Sequence, residues 1–513
     1  MDSLDQSSIV KLKPSRSKRF YEPLILLYCL GIVLGKTPSG NQTIESDNIL
    51  EKSPKGIFEC FVNKLSQICD SIHGSTGATV TSFAVLQTGS IEYRFASNRR
   101  DDHSLADTAR YVTRILDTLG QASDHDITLA NRREDARLFS TVIREILAFN
   151  RPRLTHYIAS ELVPNLEFCI NVCAELGSDE DVAMETNLRS IQSVAQATLA
   201  EDLTDPDFAM AVQNLLQVIS QRFRRQIFKD YLSRKTREDR EISTKTPWTE
   251  IYHAIGRLHS YTIAVKVFLA TRLKWPELFE DFRVVSVASS KPADTPWVRK
   301  QSSPIVKSQL SNDNSVQDAF FGEPTAWKIH LVEALDTEIV KKTKRGFNPI
   351  VHAEVNLVDD ILREERDPAT EGQMITFFNE NVFGCRYVGS SKPTCRLCEL
   401  YFQAAVFQSS ARPRITVRPG HHNLYYNWRG PDVYAEDGRA VEEARNQTFE
   451  WMITNLKTQV GGTIKNRFAI KTPHDSNTYP SNPLPTDRGT VSVSDFNDLA
   501  STMGQVSLDD RDG

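Results

Sequence analysis

Two segments of the chain carry residues that could hold a metal ion and move protons beside it. His352 and Glu354 belong to the sequence Asn-Pro-Ile-Val-His-Ala-Glu, and Cys395 and Cys398 belong to the later sequence Ser-Lys-Pro-Thr-Cys-Arg-Leu-Cys. Zinc prefers imidazole nitrogen and thiolate sulfur in a tetrahedron, and a catalytic zinc site keeps one position free for water. A His-x-Glu followed by a Cys-x-x-Cys is the pattern of zinc sites that activate water against a nucleobase. We therefore predict that His352, Cys395 and Cys398 bind Zn²⁺ and that Glu354 stays unligated as the catalytic proton shuttle.

The residues around each pair predict a helix that begins at the site. After Glu354, apolar side chains recur at the spacing of an amphipathic helix: Leu357, Val358, Ile361 and Leu362. A second helix is expected to begin at Cys395, with Thr394 as its N-cap and Pro393 as an entry signal. A thiolate at a helix N-terminus is stabilised by the helix dipole and by free backbone N–H groups. Two helix starts that face each other would therefore form the site.

These motifs resemble those of known deaminases. The segment from Asn348 to Glu354 is similar to that of tRNA adenosine deaminases and guanine deaminases, in which Asp-Pro-x-x precedes His-Ala-Glu. With Ser-Lys-x-x-Cys-x-x-Cys and the later Tyr-Tyr-Asn-Trp, the chain is more similar to the fungal branch of the nucleic acid/nucleotide deaminase-like superfamily, over roughly residues 320 to 440. One departure is Thr394, which separates Pro393 from the first cysteine where the usual pattern has proline adjacent.

The resemblance implies a fold and an activity. It implies an α/β domain, a cytidine deaminase-like three-layer α/β/α sandwich, and a zinc-dependent hydrolytic deaminase of a nucleobase, nucleotide or nucleic acid. Zinc lowers the pKa of bound water toward about 7, and the zinc-bound hydroxide would attack C4 of cytosine or C6 of adenine while Glu354 moves the protons. Asn348, His422, Tyr426 and Trp428 are weaker candidates for contacts with the substrate.

A structural zinc site is the main alternative. Cys395 and Cys398 could bind the metal together with His421, His422 or both, which would leave no position for water. The domain would then be a catalytically inactive, zinc-stabilised interaction module with a deaminase fold. That alternative leaves His352 without a role.

The weaker substrate candidates also have structural interpretations. Tyr426 and Trp428 carry aromatic rings of a kind that more often lies in a core than stacks on a base. Asn348 precedes a proline and could simply form the turn that leads into the helix.

Composition restricts the class of protein. The 513 residues suggest two to four domains, and a hydrophobic content of 40% with 25% charged residues is typical of globular proteins that fold in water. A net charge of −5 argues against obligate nonspecific binding of nucleic acid, which usually requires a basic face. The eight cysteines are scattered, and that usage favours a reducing compartment, cytoplasmic or nuclear, over a disulfide scaffold.

The N-terminus resembles a targeting signal in one respect. Basic residues from Lys11 to Arg19 precede an apolar run from Leu24 to Leu34. That run is shorter than the roughly 20 apolar residues that cross a bilayer. We therefore expect a buried helix that begins near Pro23 and no membrane partner; a secretory or anchoring signal is the alternative.

Patterns along the chain divide it into five predicted regions. They are a basic segment with an apolar helix (1–47), a mainly helical domain with a β-hairpin at 78–98 (48–288), a flexible linker (289–320), the zinc deaminase-like domain (321–470) and a disordered tail (471–513). A hairpin cannot stand alone in water, so this one must pack on helices or join a larger sheet.

Finer patterns place further elements. In the mainly helical domain, helices are expected at 155–175, 182–201, 208–231 and 248–272. Alternating apolar residues predict strands at 282–287, 327–331 and 415–417, and another strand is expected at 338–343. A helix over 439–456 is expected to close the zinc domain.

Overall fold

The structure of the protein is a computed structural model. It describes residues 9–34, 52–74, 77–223, 226–240, 246–344, 346–366, 375–406, 414–420 and 423–468. The tail predicted to be disordered at 471–513 lies outside the described residues.

The first part of the chain is mainly helical around one hairpin. In order, its elements are α1 (Pro14–Val33), α2 (Pro54–Cys69), β1 (Thr81–Thr88), β2 (Ser90–Ser97), α3 (Asp102–Gly120), α4 (Asp124–Arg132), α5 (Arg137–Phe149), α6 (Arg151–His156), a π-helical turn (Tyr157–Leu162), α7 (Val163–Leu176), α8 (Asp179–Ala197), α9 (Asp205–Phe223), α10 (Gln226–Arg240) and α11 (Pro247–Lys274). The helical periodicity is thereby confirmed, except that the single helix predicted at 208–231 is two helices, α9 and α10.

The second part alternates helices with short strands. Its elements are a 3₁₀ turn (Pro276–Phe279), β3 (Phe282–Val287), α12 (Ser302–Gln309), α13 (Asn314–Phe321), α14 (Ala326–Thr343), α15 (Ala353–Glu364), α16 (Glu380–Phe383), β4 (Arg386–Ser390), α17 (Arg396–Val406), β5 (Ile415–Val417), a second 3₁₀ turn (Ala435–Asp437) and α18 (Gly438–Phe468). The strands predicted at 282–287 and 415–417 are confirmed.

In the described part of the chain, five strands form one mixed sheet in the order β3-β2-β1-β4-β5. β1 is antiparallel to β2 and to β4, whereas β2 with β3 and β4 with β5 are parallel. The hairpin turns at Gly89, whose φ of +91° suits a residue without a Cβ. The predicted hairpin is therefore confirmed, and it joins a larger sheet because Ser82 of β1 pairs with Ser390 of β4.

Each face of the sheet supports its own hydrophobic core. Phe83 and Val85 of β1 lie in a core formed largely by α2, α3, α5 and α11, while Ala84 and Leu86 lie in a core with α1, α14, α15 and α18. This alternation follows from the two-residue period of a strand. The fold is thus mixed α/β and mostly helical, built on a small sheet.

The sheet crosses the linker predicted at 289–320. β1, β2 and β3 precede that segment and β4 and β5 follow it. Within it, α12 and α13 form, and Ile305 and Val316 are fully buried in the second core. The division of the chain into domains stays a prediction.

The strands predicted at 327–331 and 338–343 are wrong, because both segments belong to α14. Thr325 caps this helix by accepting the backbone N–H of Lys328 at 3.3 Å. Its buried apolar residues are Leu331, Leu335 and Ile339, spaced by four. Trp327 and Ile329, whose alternation with Leu331 suggested a strand, are half-exposed instead.

The apolar N-terminal helix is buried, as predicted, but it begins earlier than expected. α1 starts at Pro14 and contains Pro23 in its interior. Leu24, Ile25 and Leu30 are fully buried in the second core. Among the described residues, none of the helices combines the length and apolar character needed to cross a membrane.

A glycine in β4 tests how tightly the sheet packs on α2. A Cβ on Gly389 would lie 2.7 Å from the carbonyl carbon of Val62 and 2.9 Å from the backbone nitrogen of Asn63. We expect Gly389→Ala to lower the free energy of unfolding by about 1–3 kcal/mol, since overpacking forces the backbone to shift.

Urea denaturation followed by circular dichroism measures this change. The matched control is Gly462→Ala in α18, where a Cβ would meet nothing within 4 Å, and where alanine should stabilise the helix by about 0.5–1 kcal/mol. An unchanged unfolding midpoint for Gly389→Ala would contradict the close packing of β4 on α2.

Candidate metal centre

Three possible metal ligands from two segments meet in one place. The Nδ1 atom of His352 lies 3.5 Å from Sγ of Cys395 and 3.4 Å from Sγ of Cys398, and the two sulfur atoms are 3.4 Å apart. The edges of a zinc tetrahedron with one nitrogen and two sulfur ligands are roughly 3.6 Å and 3.8 Å, from the usual bond lengths. The donor types and their spacing therefore fit zinc.

The start of α15 places His352. This residue occupies the N-cap position with extended backbone (φ −75°, ψ 152°). The side chain of Asn98, just after β2, accepts the backbone N–H of Ala353 at 2.8 Å. Ile350 donates its backbone N–H to Asn427 at 2.9 Å and accepts that of Arg429 at 2.9 Å. Hydrogen bonds on both sides thus fix the segment that carries His352.

The far end of α15 is tied to the sheet by ion pairs. Arg94 of β2 binds Glu364 and, at 3.2 Å, Asp360. Arg386 of β4 binds Glu365, and the side chains of both partners are almost fully buried. Because α15 is anchored at both ends, the direction in which His352 and Glu354 leave the helix is fixed by the sheet.

The start of α17 places the two cysteines. Cys395 is its N-cap residue, because its carbonyl accepts the backbone N–H of Glu399 and its sulfur lies 3.5 Å from the backbone nitrogen of Cys398. The prediction of Thr394 as the N-cap is wrong, since its hydroxyl donates instead to the carbonyl of Arg418 at 2.7 Å. Cys395 occupies the N-cap position instead, because its sulfur atom can accept one of the free backbone N–H groups at the start of α17.

Electrostatics at the centre separate the two thiols. Burial raises the pKa of Cys395, but its hydrogen bond with Cys398 and the charge of His352 outweigh burial and hold that pKa well below its ordinary value. Burial and the neighbouring Cys395 raise the pKa of Cys398. Burial alone would lower the pKa of His352, yet the charge of Cys395 raises it. The charged forms of Cys395 and His352 thus stabilise each other at the position that a divalent cation would occupy, and a cation that binds there would displace protons from its ligands.

Glu354 lies beside this centre in the first turn of α15. Its side chain is buried, and burial raises the pKa of its carboxyl group. A hydrogen bond joins the carboxyl group to the Cys398 thiol. The cluster of potential ligands at this centre consists of His352, Cys395 and Cys398 without Glu354. A protonatable carboxyl group thus stands next to a three-ligand site.

The segment that contains this geometry matches a known family. Residues 351–432 match the model of a family described as OTT_1508_deam:-like deaminase. The segment is a member of the deaminase-like superfamily. No curated protein and no solved structure matches the chain. The match covers His352, Glu354, Cys395 and Cys398, the residues that the sequence predicts for zinc and proton transfer.

Trp428 and Tyr426 of the deaminase-like segment are packed rather than open to a ligand. Trp428 is fully buried and donates its indole N–H to Sγ of Cys398 at 3.2 Å. The ring of Tyr426 packs against Tyr28 at 4.8 Å and Phe347 at 5.2 Å between centroids. These contacts favour structural roles for both residues, and their contact with a substrate stays a prediction.

Asn348 is exposed and lies four residues before His352 in the chain. Its amide donates to the carbonyl of Ala293 at 3.0 Å, and its own carbonyl accepts from Arg99 at 3.4 Å. Its contact with a sugar or base stays a prediction. His422 and its neighbour His421 lie outside the described residues.

Two residues near the deaminase-like site were not found from the sequence. Asn98 lies hundreds of residues before His352 in the chain, and only strand pairing brings it to the start of α15. Tyr425 has its ring 6.0 Å from that of His352, and its side chain is partly exposed. Tyr425 is the first residue of the Tyr-Tyr-Asn-Trp motif and directly precedes Tyr426, the tyrosine predicted to contact the substrate.

The bond from Trp428 to Cys398 tests how the site is held. We expect Trp428→Phe to weaken zinc affinity roughly tenfold, because a bond that orients a metal ligand is lost while an aromatic ring remains. Competition with a chromophoric chelator measures the affinity. Trp327→Phe, at an exposed tryptophan of α14, is the control; equal affinities in the two variants would show that the indole N–H does not support the site.

Proposed function

We propose that the protein is a zinc-dependent hydrolytic deaminase of a nucleobase, carried free, in a nucleotide or in a nucleic acid. One observation carries this proposal. The buried imidazole of His352 and the thiols of Cys395 and Cys398 approach to 3.4–3.5 Å beside the unligated carboxyl group of Glu354. This arrangement lies within the segment that matches a deaminase family.

His352, Cys395 and Cys398 would hold the zinc ion. Zinc bound by three protein ligands lowers the pKa of a water molecule toward about 7, which supplies a nucleophile at neutral pH. The three ligand residues are themselves positioned by Asn98, Trp428 and the end of β4. No movement of the backbone is needed to bring them together, since their ligand atoms already lie within 4.8 Å of one another.

Glu354 would move the protons of the reaction. Hydrolysis replaces the exocyclic amine of cytosine or adenine by oxygen and releases ammonia, so the two protons of the water must be transferred, one to the ring nitrogen and one to the leaving amine. Burial raises the pKa of the Glu354 carboxyl group, which makes it better able to hold and return a proton. Because it forms no part of the ligand cluster, Glu354 can exchange protons without releasing the metal.

We also propose the finer points of fold and location. The two cores on opposite faces of the sheet support a cytidine deaminase-like three-layer sandwich. All eight cysteines are buried and none of them forms a disulfide bond, and this supports a reducing compartment such as the cytoplasm or the nucleus. The assignment to the fungal branch rests on the sequence motifs alone.

The role of Glu354 is the direct test. We expect Glu354→Gln to keep zinc but to reduce turnover by roughly 10²–10⁴-fold, because the amide cannot carry the proton. Cys395→Ser should lose the metal. Zinc content and ammonia release, measured for nucleobases, nucleosides, nucleotides and oligonucleotides, provide both readouts.

Glu333→Gln is the control for this experiment, since Glu333 is an exposed residue of α14. Loss of zinc from Glu354→Gln would assign Glu354 to the ligands and overturn its role as shuttle. A zinc-loaded protein that releases ammonia from none of these compounds would instead support the interaction module.

A further inference from the structure

A second group of possible metal ligands lies outside the deaminase-like segment, residues 351–432. It consists of His73, His156 and Glu161, and one ligand atom from each of these residues lies within 4.8 Å of the other two. In the part of the chain that the structure describes, only this group and the cysteine-containing centre bring together three side chains of types that bind metals. The group is therefore separate from the residues assigned to zinc and proton transfer.

A π-helical turn places Glu161 beside His156. His156 is the last residue of α6, and Glu161 lies within the turn Tyr157–Leu162. On an α-helix, two residues five positions apart point about 140° away from each other. The wider π-helix, with its i→i+5 hydrogen bonds, brings such residues closer to one line, and these rare turns occur frequently at functional sites. The Nε2 atom of His156 accordingly lies 3.9 Å from a carboxylate oxygen of Glu161.

Arg153 fixes the segment that carries His73. The backbone N–H of Arg153, in α6, donates to the carbonyl of Ser71 at 3.1 Å, and its guanidinium group donates to the carbonyl of Ile72 at 2.6 Å. The ring of His73 lies 3.8 Å from that of His156 and is nearly parallel to it, at 11°. α6 therefore carries one of the histidines and holds the backbone beside the other.

The arginines near this group already have acidic partners. Arg153 binds Asp70, and both side chains are almost fully buried. Arg257 of α11 binds one carboxylate oxygen of Glu161 and leaves the other oxygen facing His156. Carboxylates that bind metals are usually oriented by a hydrogen bond of this kind. The arginines thus support the position of Glu161 and do not take it from a metal.

Two imidazoles and one carboxylate define the class of ion. Imidazole nitrogen suits zinc, copper, nickel and iron, whereas Mg²⁺ and Ca²⁺ prefer oxygen ligands. Burial lowers the pKa of His73, as do three positively charged neighbours: His156, Arg153 and Lys392. Glu161 opposes them without reversing the shift. The His73 imidazole is therefore neutral at pH 7, with a lone pair available to a transition metal ion.

Binding of an ion requires a small movement of the His73 side chain. Around zinc, nitrogen and oxygen ligands lie roughly 3.4 Å apart, from the usual bond lengths. The lone pairs of parallel rings do not converge on one point, so the ring of His73 must turn out of the stack. His73 is exposed and belongs to no helix or strand. Exposed side chains change rotamer rapidly, so the site can close without movement of a helix.

We propose that His73, His156 and Glu161 form a second metal site, which binds a divalent transition metal ion such as zinc. The ion would link the segment that follows α2 to the π-helical turn between α6 and α7. It has no part in the deamination assigned to Glu354. The inference therefore stands or falls independently of the proposed function.

The two metal sites differ in affinity. The second site has no thiolate ligand and positively charged side chains lie near it, so it holds its ion more weakly than the cysteine-containing centre. After zinc loading and desalting, the chain therefore keeps one zinc ion, and a second ion binds only while free metal is present. This difference allows the two sites to be filled in order.

Addition of Co²⁺ to the zinc-loaded, desalted full chain tests the second site without requiring turnover. Zinc binds more tightly than cobalt to a given site, so Co²⁺ should add to the protein without displacing the first ion. We expect one Co²⁺ ion with the visible absorption of nitrogen and oxygen ligands and without a thiolate-to-cobalt charge-transfer band.

Variants of the three residues should weaken Co²⁺ binding. We expect a loss of roughly tenfold or more for His73→Ala and for His156→Ala, because even the indirect partners of metal ligands commonly contribute about 10–100-fold to affinity. Glu161→Gln should weaken binding as well. Melting temperatures without free metal show whether each variant is folded. Free Co²⁺ should raise the melting temperature of the unmodified protein more than that of the variants.

His103→Ala is the matched control. His103 is an exposed residue of α3 whose Nε2 atom lies 3.3 Å from a carboxylate oxygen of Asp107. This pair offers one imidazole and one carboxylate, as His156 and Glu161 do, but the control should leave Co²⁺ affinity unchanged. Equal Co²⁺ affinities in folded His73→Ala and in His103→Ala, or no Co²⁺ binding beside the first zinc ion, would overturn the second site.

Discussion

The pairing of β1 with β4 is the constraint on which the site depends. Ser82 to Ala84 pair with Val388 to Ser390, so a strand from the first part of the chain lies beside the strand that leads to Cys395. The same hairpin ends at Asn98, whose side chain binds the start of α15. Removal of this pairing would separate the residues that hold the two helix starts. The helical part of the chain is therefore part of the scaffold of the site, because its α2 and α11 cover one face of the same sheet.

The residues of the centre could be predicted from the sequence because the signals are local. Helical spacing after Glu354 and the Cys-x-x-Cys motif before α17 are each contained within about a dozen residues. The metal ligand types follow from simple coordination chemistry, and two helix starts were expected to face each other. The hairpin was also predicted, because alternation of apolar residues around a turn is a short-range pattern. The structure brings His352, Cys395 and Cys398 together as that interpretation requires.

What the sequence did not predict depends on distant parts of the chain. No local pattern shows that a hairpin at 81–97 pairs with a strand at 386–390, and the strands predicted at 327–331 and 338–343 belong to a helix. Alternation over a few residues does not distinguish a strand from one face of a helix, and the spacing of Leu331, Leu335 and Ile339 was the better signal. The contact of Asn98 with the start of α15 could not be predicted for the same reason, since it joins elements far apart in sequence.

Zinc K-edge X-ray absorption of the zinc-loaded full chain tests whether His352, Cys395 and Cys398 bind one zinc ion together. We expect one zinc ion per chain with two sulfur ligands at about 2.3 Å and one imidazole nitrogen at about 2.0 Å. The imidazole contribution should disappear in His352→Ala. A spectrum with a second imidazole, or one that His352→Ala leaves unchanged, would contradict a three-ligand centre formed by His352, Cys395 and Cys398.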